Sequence, residues 1–100
     1  MLDVLTSADF EPYLNESFTV KLDRLAVLDL IEITPHGPEP DTEAPKERRR
    51  PFSLVFRDRD KTHLPQKIYR LEHDGLGSLE IFLVPIGPDS QGMRYEAVFA

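Results

Sequence analysis

Ile68-Tyr69-Arg70-Leu71-Glu72-His73-Asp74-Gly75-Leu76-Gly77-Ser78-Leu79-Glu80-Ile81-Phe82-Leu83-Val84-Pro85 decides the fold. Tyr69, Leu71 and His73 alternate with Ile68, Arg70 and Glu72, the period-two pattern of a strand with one face buried. Asp74-Gly75-Leu76-Gly77 then reads as a hairpin connection, because an Asp-Gly pair tolerates positive φ. From Leu79 to Val84 every residue but Glu80 is apolar, which predicts a strand buried on both faces and placed centrally in its sheet. Two adjoining strands joined by a tight turn must run antiparallel.

Outward from this hairpin the same grammar recurs. Gly87-Pro88-Asp89-Ser90-Gln91-Gly92 reads as a second hairpin loop, and Met93–Phe99 as a last strand with Tyr95, Ala97 and Phe99 on one side. Upstream, Phe52, Leu54 and Phe56 face in while Ser53, Val55 and Arg57 face out. Phe18, Val20 and Leu22 alternate with Thr19, Lys21 and Asp23. Between Ala26 and Thr34, Leu28 and Leu30 lie on one parity, and Ile31 and Ile33 on the other. One inserted residue returns both pairs to the core, so a β-bulge is expected near Leu30-Ile31; a strand buried on both faces is the alternative. Ser7 to Leu14 predicts a short helix capped by Ser7 and limited by Pro12. Phe10, Tyr13 and Leu14 share its buried side, a lid over the end of a sheet. Six short strands with regular turns predict a mainly β fold, an antiparallel barrel or sandwich with one N-terminal helix.

Residues 1–100 suit a single domain. Residues 36–50, with Pro38, Pro40 and Pro45 and almost nothing apolar, predict an exposed loop. With 40% hydrophobic and 30% charged residues the chain has the composition of a folded domain. It has no cysteine, which excludes disulfides, thiolate chemistry and Cys-based zinc sites. No opening segment has the basic-then-apolar form of a signal peptide, and no apolar run approaches the ~20 residues that span a bilayer. A cytoplasmic protein, or a part of an assembled particle, is expected, with no membrane association.

The net charge is −6 but unevenly placed. Nine basic and three acidic residues fall between Lys46 and Arg70, against three basic and fifteen acidic elsewhere. Arg48, Arg49, Arg50, Arg57, Arg59 and Lys61 form a candidate interaction surface. Nucleic acid is disfavoured as its partner, since Phe52 and Phe56 share parity with Leu54 and are not free to stack on bases, and the acidic remainder repels a polyanion. A protein partner, including another copy of the chain, fits better.

Chemistry-bearing motifs are sparse. His73 with Tyr69 and Tyr95 is the best polar cluster, yet Glu72 lies on the opposite face from His73. The plain reading is a histidine hydrogen-bonded at the hairpin. His36, His63 and His73 lack the spacing that converges on a metal. Ser7, Ser17, Ser53, Ser78 and Ser90 lack a nucleophile-elbow setting, and no phosphate-binding or dinucleotide fingerprint is present. Neither a catalytic residue nor a cofactor is expected.

Leu64-Pro65-Gln66, Tyr69-Arg70-Leu71-Glu72-His73, Leu76-Gly77, Ile81-Phe82-Leu83-Val84-Pro85, Gly87-Pro88 and Tyr95-Glu96-Ala97-Val98-Phe99 together resemble a family of short, uncharacterised bacterial proteins. The opening half fits more loosely. The resemblance implies a stand-alone small domain of unknown function, found near phage-tail-like and tail-collar-type proteins. The expected role is a non-enzymatic structural or protein-interaction module, an accessory of a phage-tail-like assembly. A small-ligand or carbohydrate-binding barrel, with Tyr13, Tyr69 and Tyr95 at one mouth, is the alternative. An enzyme using His73 with an acid is the third reading.

Overall fold

A computed structural model describes residues 6–22, 25–36, 51–59 and 64–99. Six strands, β1 (Ser17–Lys21), β2 (Leu25–Pro35), β3 (Phe52–Asp58), β4 (Lys67–His73), β5 (Gly77–Asp89) and β6 (Gly92–Phe99), close into an antiparallel barrel in the order β1-β2-β3-β6-β5-β4. Alternation supplies the filling. Phe18 and Val20, Leu28 and Leu30, Phe52, Leu54 and Phe56, Tyr69 and Leu71, Ile81 and Leu83, and Tyr95, Ala97 and Phe99 all point inward and are buried. Burying side chains of this size contributes about 1.5–3 kcal/mol each.

The bulge falls where parity demands it. Leu30 opposes Phe56 and Glu32 opposes Val55, leaving Ile31 without an opposite number. That extra residue turns Ile33 inward against the core alongside Leu28 and Leu30.

Four expectations need correction. β5 is not buried on both faces, because a closed barrel has no central strand and turns one face of every strand to solvent; Phe82 is 48% exposed. The Gly87–Gly92 loop is mostly strand. Pro85 opposes Tyr95 and Gly87 opposes Arg94, so Ile86 is bulged, with Gly87 at φ +99° absorbing the distortion. Only Ser90 and Gln91 turn the chain, where the Asp89 carboxylate accepts the Gln91 and Gly92 amides. In the β4–β5 hairpin the positive φ falls on Gly77, not on Asp74-Gly75. On β3, Ser53 and Val55 are buried despite outward parity, Ser53 lying 2.9 Å from His36 Nε2.

Before the barrel, α1 (Ser7–Phe10) runs into a 3-10 turn, Glu11–Tyr13. Its cap is Thr6 rather than Ser7, the Thr6 amide donating to Asp9 at 2.7 Å. Pro12 ends the α-helical pitch, so Leu14 swings out to 41% exposure instead of sharing the side of Phe10. Phe10 plugs the mouth formed by the start of β3 and the end of β6, its ring 5.9 Å from Phe52 and 5.7 Å from Phe99. Phe52 and Phe99 stack at 4.6 Å. Leu64 is buried in the core at the opposite mouth, beside Tyr95. The loop expected over 36–50 lies, from residue 37 on, outside the described residues; His36, at its neck, donates its amide to Pro51 O at 2.8 Å.

Candidate functional site

His73 closes β4 at the Phe10 mouth. Its Nδ1 accepts the Gly75 and Leu76 amides at 2.9 and 3.3 Å, the hairpin role expected of it. That assigns the proton to Nε2, which donates to Glu16 Oε1 at 2.8 Å. The ring stacks on Phe18 at 4.6 Å and meets Tyr13 edge-on at 4.5 Å. The acid partner is Glu16, not Glu72, which pairs instead with Lys21 at 3.5 Å. Tyr13 in turn covers Gly75, where any side chain would overlap its phenol ring.

Tyr69 and Tyr95 occupy the other mouth, so the three tyrosines do not line one opening. Tyr69 Oη donates to Pro65 O at 2.5 Å, and Tyr95 Oη accepts the Leu64 amide at 2.9 Å. Burial raises the Tyr69 pKa, with the neighbouring Tyr95 adding to it. Burial raises the Tyr95 pKa as well; the Leu64 amide opposes this and Asp58 reinforces it. Both phenols therefore stay neutral and serve as hydrogen-bonding posts. Their separation from His73 removes the expected His-Tyr-Tyr cluster.

A shallow groove of about 490 Å³ lies over the start of β1 and the β4–β5 hairpin, walled by Glu16, Glu72 and Asp74 with Thr19 and Ser78 below. Among the described residues no three His, Asp or Glu side chains are placed to hold a metal ion.

Of the expected basic surface, Arg57 and Arg59 are described, and each is paired with an acid. Arg57 holds Asp89 through Nε at 3.0 Å and Nη2 at 2.5 Å. The Arg57 hydrogen bond holds the Asp89 carboxyl below its ordinary pKa. Arg59 Nε lies 2.6 Å from Asp29, which also accepts Ser17 Oγ at 2.8 Å. These pairs lace β2, β3 and β5 together across the outer wall. Arg48, Arg49, Arg50 and Lys61 lie outside the described residues.

The feature the charge pattern did not reveal is apolar. Ile68 opposes Phe82 across β4 and β5, and continuing the register from Val84↔Glu96 puts Phe82 opposite Val98 on β6. All three face solvent, 63%, 48% and 65% exposed, in one row across the wall. The signal was in the sequence: Ile68 and Val98 are large apolar residues on the outward parity of their strands.

No helix among the described residues is long and apolar enough to cross a membrane. The model of one protein family, a domain of unknown function (DUF6916), matches residues 5–99. No curated protein and no solved structure matches the chain.

Proposed function

The chain belongs to the DUF6916 family, and from that premise we propose that it is a non-catalytic protein-interaction module that docks through the outer wall of β4, β5 and β6. The observation that carries this is the solvent-facing row Ile68–Phe82–Val98. Single exposed apolar residues are ordinary, but three in register across adjacent strands form a contiguous patch of the kind that marks protein contacts. A non-catalytic role is supported by His73, whose two ring nitrogens are both engaged by the protein itself. The setting we propose, resting on the family resemblance, is an accessory position in a phage-tail-like particle. A ligand-binding barrel finds less support, since bulky side chains fill the interior and Tyr13 sits at the mouth opposite Tyr69 and Tyr95.

The test is selective loss of association. Tagged domain is recovered from its own cells with co-purifying proteins identified, alongside Phe82→Lys and, as a control on the far wall, Val27→Lys. Docking through this row expects Phe82→Lys to shed a specific partner that Val27→Lys keeps. Identical recovery from both variants refutes it.

A further inference from the structure

The barrel is closed by a short seam. β4 pairs with β5 over its whole length, Lys67 to His73, but with β1 only at Thr19↔Glu72 and Val20↔Leu71. Along Lys67–Arg70, therefore, β4 has β5 on one side and, among the described residues, no strand on the other. Backbone amides and carbonyls pointing away from β5 there are a template for one more strand, the hazard of any open edge and the basis of strand-addition recognition.

Two features bear on what such a strand would be. Ile68 lies in the middle of this edge, 63% exposed, and begins the apolar row that continues through Phe82. The charges along the edge are cationic on a protein of net charge −6. Lys67 and Arg70 are exposed, the Lys67 ammonium sitting 5.2 Å from the Tyr69 ring centroid. Lys21, at the end of β1 beside them, is 76% exposed. The edge is thus basic and apolar, where most of the remaining charge is acidic.

We propose that an extended, acidic segment of a partner protein adds to β4 along Lys67–Arg70, placing a bulky apolar side chain on Ile68 and Phe82 and carboxylates beside Lys67 and Arg70. The proposal deepens the docking reading by naming the chemistry of the partner. Backbone pairing supplies registration, the apolar contact supplies affinity, and the lysines and arginine select against basic sequences.

The probe is a fluorescein-labelled, capped heptapeptide of alternating Glu and Val, with a Lys/Val heptapeptide as control, titrated against the intact domain by fluorescence anisotropy. The expected result is saturable binding of the acidic peptide alone, weakened at least tenfold by Arg70→Glu and by Ile68→Asp. It should be unchanged by Val27→Asp and should weaken with added salt. Amide exchange by NMR should show new protection within Lys67–Arg70 on binding. Circular dichroism of each variant confirms that the barrel persists. Equal binding of both peptides, or no binding at millimolar peptide, overturns the proposal. If the free domain sediments as a dimer that Ile68→Asp dissociates, the edge is taken by a second copy and the proposal also fails. Should the acidic peptide fail while Phe82→Lys still sheds the cellular partner, docking on the wall stands and strand addition does not.

Discussion

At one mouth of the barrel the plug is carbon: Phe10 set between Phe52 and Phe99, with Phe18, Tyr13 and His73 beside them. At the other it is Leu64, whose amide is held by Tyr95 while Tyr69 holds the carbonyl of Pro65. The first closure depends on packed aromatic area, the second on directed hydrogen bonds in a dry place. Packing is insensitive to pH and unforgiving of lost volume. Hydrogen-bonded phenols tolerate small volume changes but depend on staying neutral.

That contrast can be broken in graded steps. Phe10→Ala should cost about 3–5 kcal/mol, because it empties a site enclosed by two rings. Chemical denaturation would show it, and a cost below ~1 kcal/mol would mean that the helix merely lies on the surface. Tyr95→Phe keeps the ring and removes only the oxygen. Leaving the buried Leu64 amide unsatisfied should cost about 1–3 kcal/mol, read as a fall in the denaturation midpoint at constant slope.

The pH profile separates the mouths without losing any volume. Folding raises the pKa of Tyr69 and Tyr95 above the ordinary 10.0, so the unfolded chain gives up these protons first. Their contribution is therefore complete below pH 10 and lost as pH rises through the folded values. The wild type should lose stability above pH 10 more steeply than Tyr69→Phe/Tyr95→Phe, measured by denaturation at stepped pH; parallel curves would refute it. The smallest effect belongs to neither plug. Lys21→Ala removes a 3.5 Å pair with Glu72 at an exposed site, and should change stability by less than about 0.5 kcal/mol.

Much of the frame was legible because alternation is a local signal. Leu28, Leu30 and Ile33 could not all reach one core without an added residue, and the bulge at Ile31 is where that logic put it. Burial of the outward-parity Ser53 was not legible, because the residue that meets it, His36, comes from seventeen positions upstream. Phe82 misled for a topological reason: an apolar run looks doubly buried whether its second face meets another layer or open solvent. The site readings failed through distance along the chain. Glu16 and His73 are separated by 57 residues, and no spacing rule joins them. Arg57 and Arg59 looked like a free basic surface until the fold brought Asp89 and Asp29 to them.

The brevity of contact between β1 and β4 also orders events in time. Thr19 and Glu72 lie 53 residues apart in the chain, whereas the β4–β5 and β5–β6 ladders join neighbours across tight turns. Closing so long a span is entropically costly and is rewarded by only two register pairs, so the hairpins should assemble first and the cylinder zip shut last. A lesion at Thr19 or Val20 would then hasten unfolding while leaving the refolding rate nearly untouched.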